Sequence, residues 1–195
     1  MGKKFTKIPT DAFEKLTMNA GMVVKGFDPD TLEYTSQVGA TTGGLTVNCT
    51  PTFTDFGEDM DNCPNNMKEL KQITKYACSI AGTLLTVDVA AGKMLVGAAD
   101  VDATSGAIVP RMNLKTEDFQ DMWFVGDYSD QNEGSTAGFI AIHLLNALNT
   151  SGFSLKTTKD GKGQYAFTLE GHYSMNAQDT VPFELYIQAG TEPTP

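Results

Sequence analysis

The sequence has no apolar run of 18 residues, so nothing in it reads as a membrane-spanning helix. The basic start Met1-Gly-Lys-Lys-Phe-Thr-Lys-Ile-Pro9 is followed by no apolar stretch, which argues against a secretory signal. Basic residues are scarce, 14 against 24 acids, giving a formal charge of −10 and a pI near 4.5. Phosphate affinity comes mainly from Lys and Arg, so this balance argues against a basic nucleic-acid-binding surface. Histidine occurs twice, His143 and His172, in no metal-ligand spacing such as H-x-x-x-H. There is no G-x-S-x-G, no phosphate-binding loop and no C-x-x-C pair. Three cysteines, Cys49, Cys63 and Cys78, cannot close a disulfide framework without a remainder, and reduced thiols are the expectation.

What is present is glycine, 19 residues, with scattered Thr, Val, Ile, Phe and Tyr in a chain that is 41% hydrophobic over 195 residues. This composition predicts one domain of mainly β structure with many turns. The most informative stretch is 38–71. It reads as a glycine turn, Val38-Gly-Ala-Thr-Thr-Gly-Gly44, a strand, Leu45 to Phe53, and a long acidic loop, Thr54 to Lys71. In the strand Leu45, Val47, Cys49, Pro51 and Phe53 share one face, and Thr46, Asn48, Thr50 and Thr52 share the other. Pro51 cannot donate to a ladder, so the strand belongs at an edge or a bulge.

Elsewhere Thr10 is expected to cap a short helix carrying Phe13 and Leu16, ended by Gly21 and followed by a strand at Met22–Val24. Gln72–Val87 predicts a second long strand with Tyr76, Cys78, Ile80, Gly82 and Leu84 on one face. Asp88 can cap a helix at about 89–99 with Met94, Leu95 and Ala98 as its buried stripe and Gly92 as a weak point. Strands are also expected at Asp118–Val125, Phe139–Leu148, Phe153–Thr158, Gln164–Tyr173 and Val181–Ile187. Residues 139–148 also suit a buried helix, and the bounding Gly138 and Asn149–Gly152 favour the strand.

Asp55, Glu58, Asp59 and Asp61 lack the ligand order of a calcium loop, so a solvated loop or a charged contact with another subunit is the better reading. Gly2 with Thr6, Asn48-Cys-Thr50 and Asn149-Thr-Ser151 match short modification motifs that arise often by chance. No catalytic, metal or cofactor site is assigned.

Four pieces, in this order and in a chain of this length, carry a family resemblance: Val38–Gly44 before a strand; Asp59-Met-Asp-Asn-Cys-Pro64 leading to Lys68-Glu-Leu-Lys71; Asp118-Phe-Gln-Asp-Met-Trp-Phe-Val125; and Gly171-His-Tyr-Ser-Met-Asn-Ala-Gln-Asp-Thr-Val-Pro-Phe-Glu184. Together they resemble the major tail tube proteins of long-tailed, non-contractile bacteriophages and prophages. The resemblance implies a β-sandwich of antiparallel strands with one flanking α-helix and a structural, non-enzymatic role. Six copies would form a ring, and stacked rings the virion tail tube that carries double-stranded DNA into the host without binding it specifically. Partners would be further copies of the chain, a tape measure protein, and tail terminator or distal tail proteins. Assembly would take place in the bacterial cytoplasm. In that frame Asp55, Glu58, Asp59, Asp61, Lys68 and Lys71 are candidate subunit-interface residues, and Thr46, Asn48, Thr50 and Thr52 candidate bore-lining residues. The N-terminal arm, residues 1–8, and the C-terminal tail, 189–195, are further candidates for ring-to-ring contact. The competing reading is a monomeric β-sandwich binding module for carbohydrate or an adhesin ligand, which needs exposed aromatics. An all-β hydrolase would need a clustered acid pair or triad.

Overall fold

In a computed structural model, residues 8–128 and 137–190 are described. Eleven strands and one α-helix follow in chain order. These are β1 (Thr17–Lys25), β2 (Ser36–Gln37), β3 (Thr41–Asp55), β4 (Lys71–Leu84), α1 (Val89–Val96), β5 (Ala99–Val101) and β6 (Ile108–Pro110). Then come β7 (Gln120–Tyr128), β8 (Phe139–Asn149), β9 (Ser154–Lys156), β10 (Gln164–Glu170) and β11 (Phe183–Gln188). Every strand pairing is antiparallel. The strands form two layers. The first runs β2-β1-β7-β8-β11, and the second runs β3-β4-β10-β9. The end of β8 joins them, because Leu148 and Asn149 pair with Glu170 and Leu169. β5 and β6 form a separate hairpin. The fold is therefore mainly β, as the composition predicts, and sandwich-like with one α-helix on its flank among the described residues, as the resemblance implies.

The alternation of side chains explains the two cores. Val23, Met122 and Leu144 of the first layer meet Cys78, Ile80, Leu84, Phe167 and Leu169 of the second, and Leu95 of α1 closes this main core. The alternate residues Val24, Trp123, Phe139 and Ala141 point to the other face of the first layer, where Phe27 from the β1–β2 loop covers them. Trp123 is buried, with the Phe27 ring 5.5 Å away edge-on. Asp88 caps α1 as expected, accepting from the Ala91 N–H at 2.7 Å. The helix spans Val89–Val96, shorter than 89–99, and buries Ala91, Gly92 and Leu95, with Met94 partly buried. Gly92 has a packing reason: a Cβ there would lie 2.7 Å from Ile108 Cδ1.

Several expectations need correction. The helix at 10–16 shrinks to one 3-10 turn, Phe13–Lys15, with no side-chain cap, and β1 already begins at Thr17. Gly21 does not stop an element. It sits inside β1 at φ +66, where the β1–β7 register shifts, and a Cβ would meet Phe124 Cε2 at 2.6 Å. Gly21→Ala should therefore cost about 1 to 3 kcal/mol through left-handed strain and the clash. Urea unfolding checks this, and an unchanged midpoint would refute it. Gly43 and Gly44, at φ +76 and +80, do not form a turn ahead of a strand. They make a bulge within the 15-residue β3, between Thr42 and Thr46. Asp118 lies in a 3-10 turn ahead of β7, and His172 follows the end of β10. Residues 139–148 are strand. The stretch 126–138, whose Gly, Asp, Ser and Asn content predicts a polar loop, begins inside β7, and its centre, 129–136, lies outside the described residues.

The thiol expectation is also overturned for two of the three cysteines. The register sets Cys49 opposite Cys78, with Cα atoms 4.0 Å apart, and a disulfide joins them. Cys63 is free. Thiol labelling of the native chain without reductant should modify Cys63 alone, and reduction with unfolding should expose all three. Labelling of Cys49 or Cys78 before reduction would show that the bond is absent.

Candidate functional site

The surface with most to explain is β3 and its hairpin with β4. β3 ends the strand order of its layer, so one side of its backbone has no partner among the described residues. Leu45, Val47 and Cys49 pack against the main core, while Thr46, Asn48, Thr50 and Thr52 are exposed on the opposite face. Their cross-strand partners on β4 are Ala81, Ser79, Ala77 and Lys75, and beyond these on β10 lie Thr168 and Glu170. The result is a flat outer face of small, mostly uncharged side chains without an aromatic ring.

The direction of the backbone groups can be followed along the edge. Tyr76 N–H donates to the Tyr173 hydroxyl at 2.8 Å, and Cys78 C=O accepts from Gly171 N–H at 3.0 Å. Both groups thus point away from β3. In an antiparallel pair the opposite residues then point away as well, so Pro51, Cys49 and Val47 turn their backbone groups to the open edge. The short Cys49–Cys78 Cα separation fits such a pair. Pro51 leaves a gap in the row of outward donors.

Past Ser79, the last β4 residue that β10 flanks, β3 and β4 continue as a two-stranded arm. The register slips at its base, between Thr52 and Phe53, and the extra residue Thr74 donates its hydroxyl to Thr52 C=O at 3.2 Å. Phe53, half of its surface exposed, thereby leaves the core face that simple alternation predicts. The loop 56–70 at the end of the arm is internally bonded. Asp55 accepts from Gly57 N–H at 2.9 Å and Asn66 N–H at 2.6 Å, and these two bonds hold its carboxyl below the usual range. Phe56 N–H bonds Leu70 C=O, and a Cβ on buried Gly57 would lie 2.9 Å from Leu70 Cδ1.

The six charged candidates of this loop therefore differ. Asp55 is engaged within the loop. Lys71 donates to Asn66 Oδ1 at 2.8 Å and lies 5.1 Å from the Phe53 ring centre. Lys68 pairs with its neighbour Glu69 at 3.4 Å. Glu58, Asp59 and Asp61 are exposed. The patterning of charge did not disclose that Phe53, Phe56, Met60, Met67 and Ile73 would stand exposed beside them.

No protein-family model and no curated protein matches this chain.

Two further clusters are centred on the histidines. His143 lies flat on Trp123 at 4.0 Å between ring centres, with Nδ1 3.1 Å from Glu184 Oε2 and Nε2 3.8 Å from Asp121 Oδ2. The Tyr186 hydroxyl donates to Glu184 at 2.8 Å. That bond, followed by the His143 contact, holds the Glu184 carboxyl low. His172 Nδ1 lies 3.1 Å from the Asn146 carbonyl, and its ring meets Phe119 edge-on. The contacts of these rings are carboxylates, a carbonyl and aromatic faces, with no serine, threonine or cysteine among them. Among the described residues no group of three or more His, Cys, Asp or Glu is placed to hold a metal ion, and no helix is long and apolar enough to cross a membrane.

Proposed function

We propose that the chain is a structural subunit that assembles with copies of itself into rings, and that stacked rings form a tail tube of the kind the sequence resembles. The observation that carries this reading is the open edge of β3. A 15-residue edge strand with one face in the core is an aggregation hazard unless another chain pairs or covers it. Ring closure would pair it with no loose edge remaining. The outer face of Thr46, Asn48, Thr50 and Thr52 would then line the bore with small polar groups. The acidity of the chain would discourage DNA phosphates from sticking. Six copies follow from the resemblance alone. Virion location, the tape measure partner and the tail-end partners rest on the same likeness.

The binding-module alternative is less well supported, because Trp123, the aromatic best suited to a sugar platform, is buried against Phe27 and His143. Size exclusion with light scattering and negative-stain electron microscopy test the proposal. Rings or hollow tubes support it. A chain that stays monomeric at high concentration and binds a glycan would replace it with the module reading.

A further inference from the structure

The second layer of strands carries unlike charge at its two ends, and each end also exposes apolar side chains. At one end the arm loop presents Glu58, Asp59 and Asp61 beside Phe56 and Met60, the last two with 58% and 55% of their surface exposed. At the other end the β9–β10 hairpin presents Lys156, Lys159 and Lys162 beside Phe153 and Leu155, exposed by 53% and 47%. Asp160 in the hairpin and Lys68 in the loop are the minority charges, and Lys68 is already paired with Glu69. The β4 register fixes the placement. Lys71 lies opposite Asp55 at the arm, and Leu84 lies opposite Tyr165, next to the hairpin turn. The 13 steps from Lys71 to Leu84 separate the two ends by about 43 Å along the strand, at about 3.3 Å per residue.

We propose that the arm loop of one copy docks on the β9–β10 hairpin of a second copy, head to tail, through an apolar centre ringed by opposite charges. Three features converge on a second copy of this chain as the occupant. Each end matches the other in charge and in apolar content. Both ends belong to one sheet and face opposite ways, so the contact is head to tail and can be repeated from copy to copy along a line. A two-stranded arm has little independent stability in water and gains support by packing on another surface. With −10 on every copy, whole-molecule charge opposes association, and local complementarity of this kind sets the orientation. This contact deepens the tube reading, on which its axial placement rests: it would join one ring to the next.

The test uses two full-length variants, one with Glu58→Lys, Asp59→Lys and Asp61→Lys, the other with Lys156→Glu, Lys159→Glu and Lys162→Glu. All six side chains are exposed, so each variant should fold, and circular dichroism would check this. Sedimentation velocity and negative-stain microscopy at about 0.1 M salt, where exposed charges still act over about 10 Å, read the association. Each variant alone places like charges at both ends, and head-to-tail association should need about tenfold or more protein than the wild type. An equimolar mixture sets basic loops against acidic hairpins and should stack at the wild-type concentration. Either variant stacking alone like the wild type, or a mixture as dispersed as its components, overturns the proposal. Single rings from each variant that stack only when mixed support both the contact and the ring reading. Rings that stack in every variant keep the ring reading and end this contact. Linear strings without rings, restored by mixing, keep the contact and end the ring reading. A wild-type chain that never associates overturns both.

Discussion

Asp118→Ala is expected to lower the unfolding free energy by about 3 to 5 kcal/mol, the cost of stranding one member of a buried ion pair. The Asp118 side chain is fully buried, and Arg111 is only 13% exposed. Arg111 Nη2 donates to Asp118 Oδ1 at 2.6 Å, while Asp118 Oδ2 accepts from Lys115 N–H at 2.8 Å. The same guanidinium reaches the carbonyls of Asn113 and Ala99, and its Nε lies 2.9 Å from Asp100 Oδ1. The pair thus ties the β5–β6 hairpin to the turn that launches β7. Removing the carboxylate leaves the largely buried Arg111 with the half-exposed Asp100 as its remaining carboxylate partner, and leaves Lys115 N–H unpartnered. Single domains have about 5 to 15 kcal/mol of stability in total, so the loss would be a large share. Arg111→Ala should cost a similar amount. The double variant should cost less than the two losses added, and strict additivity would show that the two side chains are not coupled.

The same pair predicts a direction with pH. Burial alone would raise the Asp118 carboxyl, but the Lys115 N–H bond and the Arg111 guanidinium outweigh it and hold the group below its usual range. The folded state therefore binds this proton less readily than the unfolded state. The stability is complete above the ordinary carboxylate range and is lost as pH falls through the lowered folded value. Asp118→Asn should flatten the acid limb of a stability profile, and an acid limb identical to that of the wild type would contradict the assignment.

Arg111 and Asp118 show where sequence reasoning stops. Nothing in their spacing marks a pair, since Arg111 falls in no expected element and Asp118 at the expected start of a strand. Only the fold buries them together. The long strands were legible because alternation survives in Leu45, Val47 and Cys49 and in Tyr76 to Leu84, and Asp88 was legible as a cap because capping is local. Glycine misled twice. Gly21 and the Gly43–Gly44 pair carry the left-handed backbone of turns, yet here they make bulges within continuing strands. The Cys49–Cys78 bond depends on register, which an odd cysteine count does not reveal. In the loop 56–70 charge was visible in the sequence. The slip at Thr74, which turns Phe53 outward, was not.

If copies join through the β3 edge as proposed, Val47→Pro is expected to abolish ring formation while leaving the isolated chain folded. Opposite Ile80, Val47 turns its N–H to the open edge, so proline removes no β3–β4 bond and withdraws one donor from any strand that adds there. Monomer stability should fall by about 1 kcal/mol or less, because the core-facing side chain is replaced by one of similar size. Asn48→Pro is the control. Its N–H points toward β4, and its loss should cost about 1 to 3 kcal/mol of monomer stability through an unmade ladder bond. Negative-stain images and urea unfolding separate the two effects. Rings of Val47→Pro with the wild-type diameter and threshold concentration would show that the β3 edge is not where copies join. Pro51 gives this test its direction. The native chain already withholds a donor at the base of the arm, in the same outward phase as Val47 and Cys49. In the proposed ring, strand addition would thereby be confined to the part of β3 before Pro51. The arm beyond it is left free for a contact of another kind, made by side chains instead of backbone, which is what its exposed Phe56 and Met60 supply.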